Sequence, residues 1–167
     1  MRVPPASCTP GDSRMFTIEV SHASGGIVRR SLKQMLAESD VVTLHVPGGQ
    51  GTHNIMNAET IAAMKPGSIL INASRGTVVD IDALHQALVS GHQAGAALDV
   101  FDHEPEVPDA LKHLSNVVLT PHVAGLSPEA TQGTVELVGK NLMAFFSGQP
   151  VLTPIQLPPK ISSQRVH

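Results

Sequence analysis

Three side chains in this sequence have the types needed to bind an organic acid and move a proton: Arg75, Glu104 and His122. The guanidinium of Arg75 can hold a carboxylate through two parallel hydrogen bonds. A carboxylate such as Glu104 beside the His122 imidazole would fix the ring tautomer and make the histidine a usable general acid. The alternatives are a surface arginine that contacts its own loop, and two loop residues that never meet. The elements that position these residues decide between the two interpretations.

The other histidines do not form a pattern that predicts a metal site. Among the nine histidines of the chain, no pair has the i, i+4 spacing of an HExxH motif. His85 and His92 are seven residues apart, about two helical turns, which is too far for one ion. The single cysteine excludes a site built from several cysteines. We therefore expect no bound metal.

A glycine-rich segment at 49–54, Gly-Gln-Gly-Thr-His-Asn, is similar to the GxGxxG fingerprint of dinucleotide-binding turns but departs from it at the last position. That fingerprint requires an acidic residue about twenty residues further on, at a strand end. The chain has Asn72, Ala73 and Ser74 there, so the segment is more typical of a turn. The GxSxG motif of hydrolases and the phosphate-binding P-loop are both absent from the sequence.

Short apolar runs alternate with helical spacings from residue 31 onward. Each predicted strand is a β-branched or apolar run that stops near a proline, a glycine or a polar residue, at 40–47, 68–74, 94–101 and 116–122. Helices are predicted at 31–39, 58–64, 80–91 and 127–148, with Ser31 and Ser127 as N-caps. Prolines and a glycine break regular structure within 1–30, where the run 15–20 is the one candidate strand.

This alternation predicts an α/β fold in which the four strands form one parallel sheet in chain order, with helices on both faces. Sheets of this kind bind ligands beyond the carboxyl ends of their strands. Arg75 and Glu104 follow predicted strands, and Asp99 and His122 lie at the carboxyl ends of two others. We therefore expect the side chains of Arg75, Glu104 and His122 to converge at one edge of the sheet, with Glu104 near the His122 ring.

Composition and charge narrow the class of protein. The chain has 167 residues, 41% of them hydrophobic and 15% charged, which fits one globular domain with a real core. A net charge of −3 and the absence of Trp and Tyr argue against nucleic-acid binding. No apolar run is long enough to span a membrane, and the first residues lack the apolar region of a secretory signal. We expect a cytoplasmic protein with no nucleic-acid or membrane partner.

Four segments of the sequence together resemble the D-isomer-specific 2-hydroxyacid dehydrogenases: SDVVTLHVP, MKPGSILINASRGTVVDIDAL, GAALDVFDHEP and NVVLTPHVAG. The resemblance runs without a gap from about Ser31 to Pro150. It implies a partial Rossmann-like three-layer fold with a parallel sheet of about four strands. It also implies an NAD- or NADP-dependent oxidoreductase that interconverts a small 2-hydroxy acid and a 2-oxo acid, such as glyoxylate or hydroxypyruvate, by hydride transfer.

The resemblance implies a role for individual residues as well. Arg75 would bind the substrate carboxylate, Glu104 would orient the histidine, and His122 would exchange a proton with the substrate oxygen. The nicotinamide end of the cofactor would face Ala73, Ser74, Arg75, Asp99 and the turn from His122 to Gly125, and the adenosine side would lie against His45, Val46 and Pro47.

The sequence also departs from the family pattern. The first strand of the cofactor domain, its GxGxxG turn and the acidic residue after the second strand have no counterpart, and residues 1–30 do not resemble what they replace. We expect an irregular segment at 1–30, a partial dinucleotide-binding domain at 31–150 and a tail at 151–167. The strand at 40–47 is then an open edge, which 15–20 or a second copy of the chain can cover. Two hypotheses follow: a dehydrogenase, as a homodimer or with a complementing chain, and a truncated, catalytically silent remnant with a structural or protein-binding role.

Overall fold

The computed structural model describes residues 18–21 and 27–155. These residues belong to two compact units, one within 1–124 and one within 125–167, which are taken separately below. The strands are β1 (Ile18–Ser21), β2 (Ile27–Arg30), β3 (Val41–Leu44), β4 (Ser68–Asn72), β5 (Gln93–Leu98) and β6 (Val117–Leu119). The helices are α1 (Leu32–Glu38), α2 (Ala58–Ala62), α3 (Ile81–Val89), α4 (Asp109–Lys112) and α5 (Pro128–Phe146), with a 3₁₀ turn at Gly76–Val78.

The first unit is built on a parallel sheet with the strand order β3-β4-β5-β6. This confirms the α/β class and the four parallel strands in chain order. The strands are shorter than predicted, and the α4 turn between β5 and β6 was not predicted. Side-chain caps start α1 and α2: Ser31 and Asn57 each form a capping box that satisfies free N–H groups of the first turn.

The core of this unit lies on one face of the sheet. Alternate strand residues such as Val42, Leu70 and Leu98 are buried there, together with residues of α1, α2, α3 and α4. The opposite face leaves Val41 52% and Val118 63% exposed. We expected helices on both faces, but right-handed crossovers in a sheet whose strand order never reverses place the helices that connect its strands on the same face.

The N-terminal strands form a separate antiparallel pair, with Ile18 opposite Arg30 and Ser21 opposite Ile27. Residues 1–30 are therefore not irregular throughout. The expectation that the run 15–20 covers the edge of β3 is wrong for residues 18–20, and residues 15–17 lie outside the described part. A hairpin partner a few residues away costs less closure entropy than a parallel partner further along the chain.

The second unit consists of α5 and the segment that follows it. Ser127 caps the helix through the Ala130 N–H group, and Pro128 occupies its first position, as predicted. The Asn141 side-chain oxygen accepts hydrogen bonds from the backbone N–H groups of Leu152 and Thr153, which fixes that segment against the helix. None of the described helices is long and apolar enough to span a membrane.

Candidate active site

Loops leave the carboxyl edge of the sheet after every strand, and three of them carry the predicted catalytic residues. Arg75 follows β4, Glu104 follows β5 and His122 follows β6. Because β4, β5 and β6 are neighbours and parallel, the three loops begin side by side. The predicted edge is therefore the place where these residues emerge.

Glu104 and His122 form a hydrogen-bonded pair, so the alternative in which they never meet does not hold. Glu104 Oε2 lies 2.8 Å from His122 Nδ1, and Glu104 Oε1 accepts the Phe101 N–H group at 3.0 Å. The hydrogen bond from His122, followed by that from Phe101, lowers the pKa of Glu104 below its ordinary value. An ionised carboxylate only accepts hydrogen bonds, so Nδ1 carries the proton of this contact.

This pairing leaves the other ring nitrogen of His122 for chemistry. The side chain of His122 is 50% exposed, and no described residue bonds to its Nε2 atom. The ring is held at one nitrogen and open at the other, which is the arrangement required of a general acid or base.

The turn that carries His122 is organised by Asp99 at the end of β5. His122 has a backbone φ of +56°, in the left-handed region that residues other than glycine seldom adopt. The backbone oxygen of Asp99 accepts the His122 N–H group at 2.8 Å, and its carboxylate accepts those of Val123 and Ala124, each at 2.8 Å. Thr120 Oγ1 donates to the same carboxylate at 2.5 Å. Burial acts to raise the pKa of Asp99, but the hydrogen bonds from Thr120, Ala124 and Val123 outweigh it and the pKa is lowered.

Arg75 lies on the loop after β4, with its guanidinium exposed. The buried side chain of Asn72 fixes this loop by donating to the Arg75 carbonyl at 2.9 Å and accepting the Ser74 N–H group at 3.0 Å. Gly76 then lies directly against the backbone of Phe101 and Asp102, so the loops after β4 and β5 touch. Within the described chain, the guanidinium makes one hydrogen bond, from Nη1 to the Ser74 carbonyl.

The remaining predicted residues are placed as follows. His45, Val46 and Pro47 follow β3, where His45 Nε2 lies 3.0 Å from Thr43 Oγ1 and the Pro47 carbonyl accepts from Thr52. Ala73 and Ser74 precede Arg75 on the same loop. Gly125 is the first residue of the second unit. The segment 49–54 is a turn closed by Thr52 N–H on the Gly49 carbonyl, with no helix starting in it.

Sequence reasoning missed two residues that shape this edge. Asn72 was noted only because no acidic residue stands at its position, and no role was predicted for Thr120, two residues before His122. Their positions at strand ends were the available signal, since buried polar side chains at such ends need partners. In the described ranges, no group of three or more His, Cys, Asp or Glu residues is arranged to hold a metal ion.

A nicotinamide dinucleotide fits this edge only in part. An exposed guanidinium and an open imidazole nitrogen suit the reacting end of such a cofactor and an acidic substrate. A diphosphate requires free backbone N–H groups at a helix start that follows a strand. In residues 30–155, the short helices after β3 and β4 begin at N-caps whose side chains already occupy those groups.

Comparison with known proteins gives the family of this chain. Residues 14–124 match the model of the D-isomer specific 2-hydroxyacid dehydrogenase NAD binding domain. The family match therefore begins well before Ser31, and the view that residues 1–30 are unlike the family is corrected for 14–30. The glyoxylate reductase of Thermococcus litoralis is 49% identical over 115 residues, covering 69% of this chain and 35% of the relative. The D-3-phosphoglycerate dehydrogenase of Escherichia coli strain K12 is 47% identical over 133 residues, covering 76% of this chain and 32% of the relative.

Solved structures give the same assignment. The NADPH-dependent glyoxylate/hydroxypyruvate reductase of Sinorhizobium meliloti, in complex with NADP and malonate, aligns with a TM-score of 0.69 and 44% identity over 74% of this chain and 39% of that one. The D-lactate dehydrogenase of Lactobacillus jensenii with NAD⁺ aligns with a TM-score of 0.71 and 29% identity over 77% and 43%. The chain spans about a third of the length of the first curated relatives it matches. It belongs to the D-isomer specific 2-hydroxyacid dehydrogenase family.

Proposed function

We propose that this chain carries the substrate- and proton-handling part of an NAD- or NADP-dependent 2-hydroxyacid dehydrogenase that acts on a small 2-oxo acid such as glyoxylate or hydroxypyruvate. The observation that carries the proposal is the contact of 2.8 Å between His122 Nδ1 and Glu104 Oε2 at the carboxyl edge of the sheet. The family match and the relatives named above support the reaction class.

Arg75 would bind the carboxylate of the acid. Its guanidinium has five N–H donors, and the hydrogen bond to the Ser74 carbonyl engages Nη1 alone among the guanidinium nitrogens. The side chain would therefore present a planar fork to a carboxylate without breaking an existing contact with the rest of the described chain. Positioning of this kind holds the oxo carbon of the substrate in one place for reaction.

His122 would exchange the proton. In the direction of reduction, the doubly protonated ring would give the Nε2 proton to the oxo oxygen as that oxygen gains negative charge. The ring would then keep the proton on Nδ1, hydrogen-bonded to Glu104. In the reverse direction, the free Nε2 would accept the hydroxyl proton of the substrate. A bound nicotinamide supplies or accepts the hydride at the neighbouring carbon.

Cofactor contacts at the nicotinamide end would come from the loop of Ala73, Ser74 and Arg75, and from Asp99 and His122. His45, Val46 and Pro47 would lie on the adenosine side. A complementing chain or a second copy of this one would be needed for the diphosphate, because α2 and α3, the helices after β3 and β4, are capped by the side chains of Asn57 and Asp80.

The direct test is to mix the purified chain with millimolar NADH or NADPH and with glyoxylate or hydroxypyruvate, and to follow loss of the reduced cofactor. Where a complementing half is supplied, we expect consumption that His122→Ala abolishes while cofactor binding stays nearly unchanged. His113→Ala is the matched control, because His113 is exposed at the end of α4 and away from the strand-end loops named above. Equal rates for the wild type and His122→Ala would contradict the proposal.

A structural or protein-binding role without turnover is the second candidate. It is favoured by the uncovered face of the sheet, where Ile69 is 38% exposed beside Val41. Unchanged cofactor, together with a stable complex of two copies in sedimentation, would favour this candidate over the dehydrogenase.

A further inference from the structure

The backbone of His122 is in a conformation that few residues other than glycine adopt. Its φ of +56° lies in the left-handed region, which histidine enters more often than most residue types but still uncommonly. The ring reaches Glu104 from this backbone conformation. Whatever holds the turn therefore decides where the imidazole lies.

Asp99 supplies the contacts that hold the turn. Three consecutive backbone N–H groups, from His122 to Ala124, all point to this one residue. The His122 N–H group donates to the Asp99 backbone carbonyl, and those of Val123 and Ala124 donate to the two carboxylate oxygens. Asp99 is 6% exposed, whereas the three residues that donate to it lie in an exposed turn.

The orientation of that carboxylate depends in turn on Thr120. The N–H group of Thr120 bonds to the Leu98 carbonyl at 3.0 Å, which extends the pairing of β6 with β5 by one residue. The sheet thus places the threonine hydroxyl beside Asp99, and the hydroxyl donates to Oδ1, the oxygen that also accepts from Val123. A hydroxyl at this point fixes one carboxylate oxygen and leaves the other for Ala124.

We propose that Thr120 is a positioning residue: its hydroxyl, through the buried Asp99 carboxylate, holds His122 in the left-handed conformation that brings Nδ1 onto Glu104. The inference rests on the proposed function, in which His122 moves the proton. It adds a residue that touches neither the histidine ring nor Glu104 in the structure.

The test reads the tautomer of His122 in the full chain, by long-range ¹H–¹⁵N NMR spectra at alkaline pH, where the ring carries one proton. A neutral imidazole free in water prefers the proton on Nε2, whereas the contact with Glu104 requires it on Nδ1. We expect the wild type to be mainly Nδ1-protonated. In Thr120→Val, the ratio of Nδ1- to Nε2-protonated ring should fall by about tenfold, the size of change that follows loss of a charge-assisted hydrogen bond.

Two further variants separate the hydroxyl from packing. Thr120→Ser keeps the donor and should keep the wild-type tautomer ratio. Thr134→Val is the matched control, because its hydroxyl bonds only to the Ala130 carbonyl within α5. A wild-type ratio in Thr120→Val, or an equal loss in Thr120→Ser, would overturn the proposal.

If Thr120→Val does not fold, Thr120→Cys replaces it, since a thiol is a weak donor of similar size. The expected ratio then lies between those of wild type and a ring free in water, and an unchanged ratio refutes the role. Hydrogen exchange of the Val123 and Ala124 amides should speed up in the same variants. Neither readout needs cofactor or turnover, so a chain without reductase activity still tests this inference separately from the proposed function.

Discussion

Replacing Gly76 with alanine should be among the most damaging single changes in this protein. A Cβ atom at this position would lie 2.0 Å from the carbonyl carbon of Phe101 and 2.3 Å from the nitrogen of Asp102. Carbon atoms in contact are about 3.5–4.0 Å apart, so the loops after β4 and β5 would have to separate by about 1.5 Å. Both contacted atoms belong to backbone, so no side chain can turn away to make room.

The loop of Gly76 cannot move without losing hydrogen bonds. Asn72 donates to the Arg75 carbonyl, and the Thr77 carbonyl accepts from Asn54 at 2.9 Å. Overpacking costs about 1–3 kcal/mol and one buried unsatisfied group about 1–3 kcal/mol more, which together give a loss of roughly 2–6 kcal/mol in the free energy of unfolding. That is a large part of the 5–15 kcal/mol or so that a domain usually has.

Urea unfolding followed by circular dichroism measures this loss, because the chain has no Trp or Tyr for fluorescence. Gly51→Ala is the matched control: a Cβ there meets nothing within 4 Å. We expect the control to stay within about 1 kcal/mol of wild type. A loss below about 1 kcal/mol for Gly76→Ala would refute the close approach of the two loops.

Three other predictions concern the cofactor, acid stability and helix capping. The chain alone should bind NADH or NADPH with a dissociation constant of about one millimolar or higher. Three missing charge-assisted hydrogen bonds, at roughly 1.5–3 kcal/mol each, correspond to about three to six decades of affinity. A dissociation constant below about ten micromolar in titration calorimetry would contradict this. The pKa of Asp99 is lowered from 3.8, so its carboxylate contributes stability above about pH 4 that is lost as the pH falls through the folded pKa. The difference in unfolding free energy between wild type and Asp99→Asn should therefore narrow in acid, and a difference independent of pH would count against the Asp99 hydrogen bonds. Ser31→Ala should lower the unfolding free energy by about 1 kcal/mol through loss of the α1 capping box, with exposed Lys33→Ala as control; equal midpoints for the two variants would show that the cap contributes nothing.

The proposed catalytic residues could be placed from the sequence because a parallel sheet collects its strand ends at one edge. Once β4, β5 and β6 are recognised as apolar runs, Arg75, Glu104 and His122 must emerge together. The four-residue helix α4 is too short to show a helical period, which is why the sequence did not predict it.

The contacts that refine the site were beyond sequence reasoning. Thr120 and Asp99 are 21 residues apart, and nothing local in either segment indicates that they meet. The left-handed backbone of His122 has no signal of the kind that glycine gives, since the conformation comes from tertiary hydrogen bonds and not from the residue type. The strand order alone would have predicted helices on one face, because a sheet without a reversal has one side for right-handed crossovers.

The strand order also determines how far water reaches the His122–Glu104 pair. Between 41 and 119 the order never reverses, so the carboxyl edge is a ledge and lacks the crevice that forms where two halves of a sheet diverge. Water reaches both partners, with Glu104 36% exposed. Attraction between charges is several-fold weaker in water than beside a low-dielectric wall. Any surface that closed over this ledge would strengthen the hydrogen bond of the pair without moving an atom of the site. In the proposed reaction, it would also strengthen the contact of Arg75 with a carboxylate and the stabilisation of charge on the substrate oxygen.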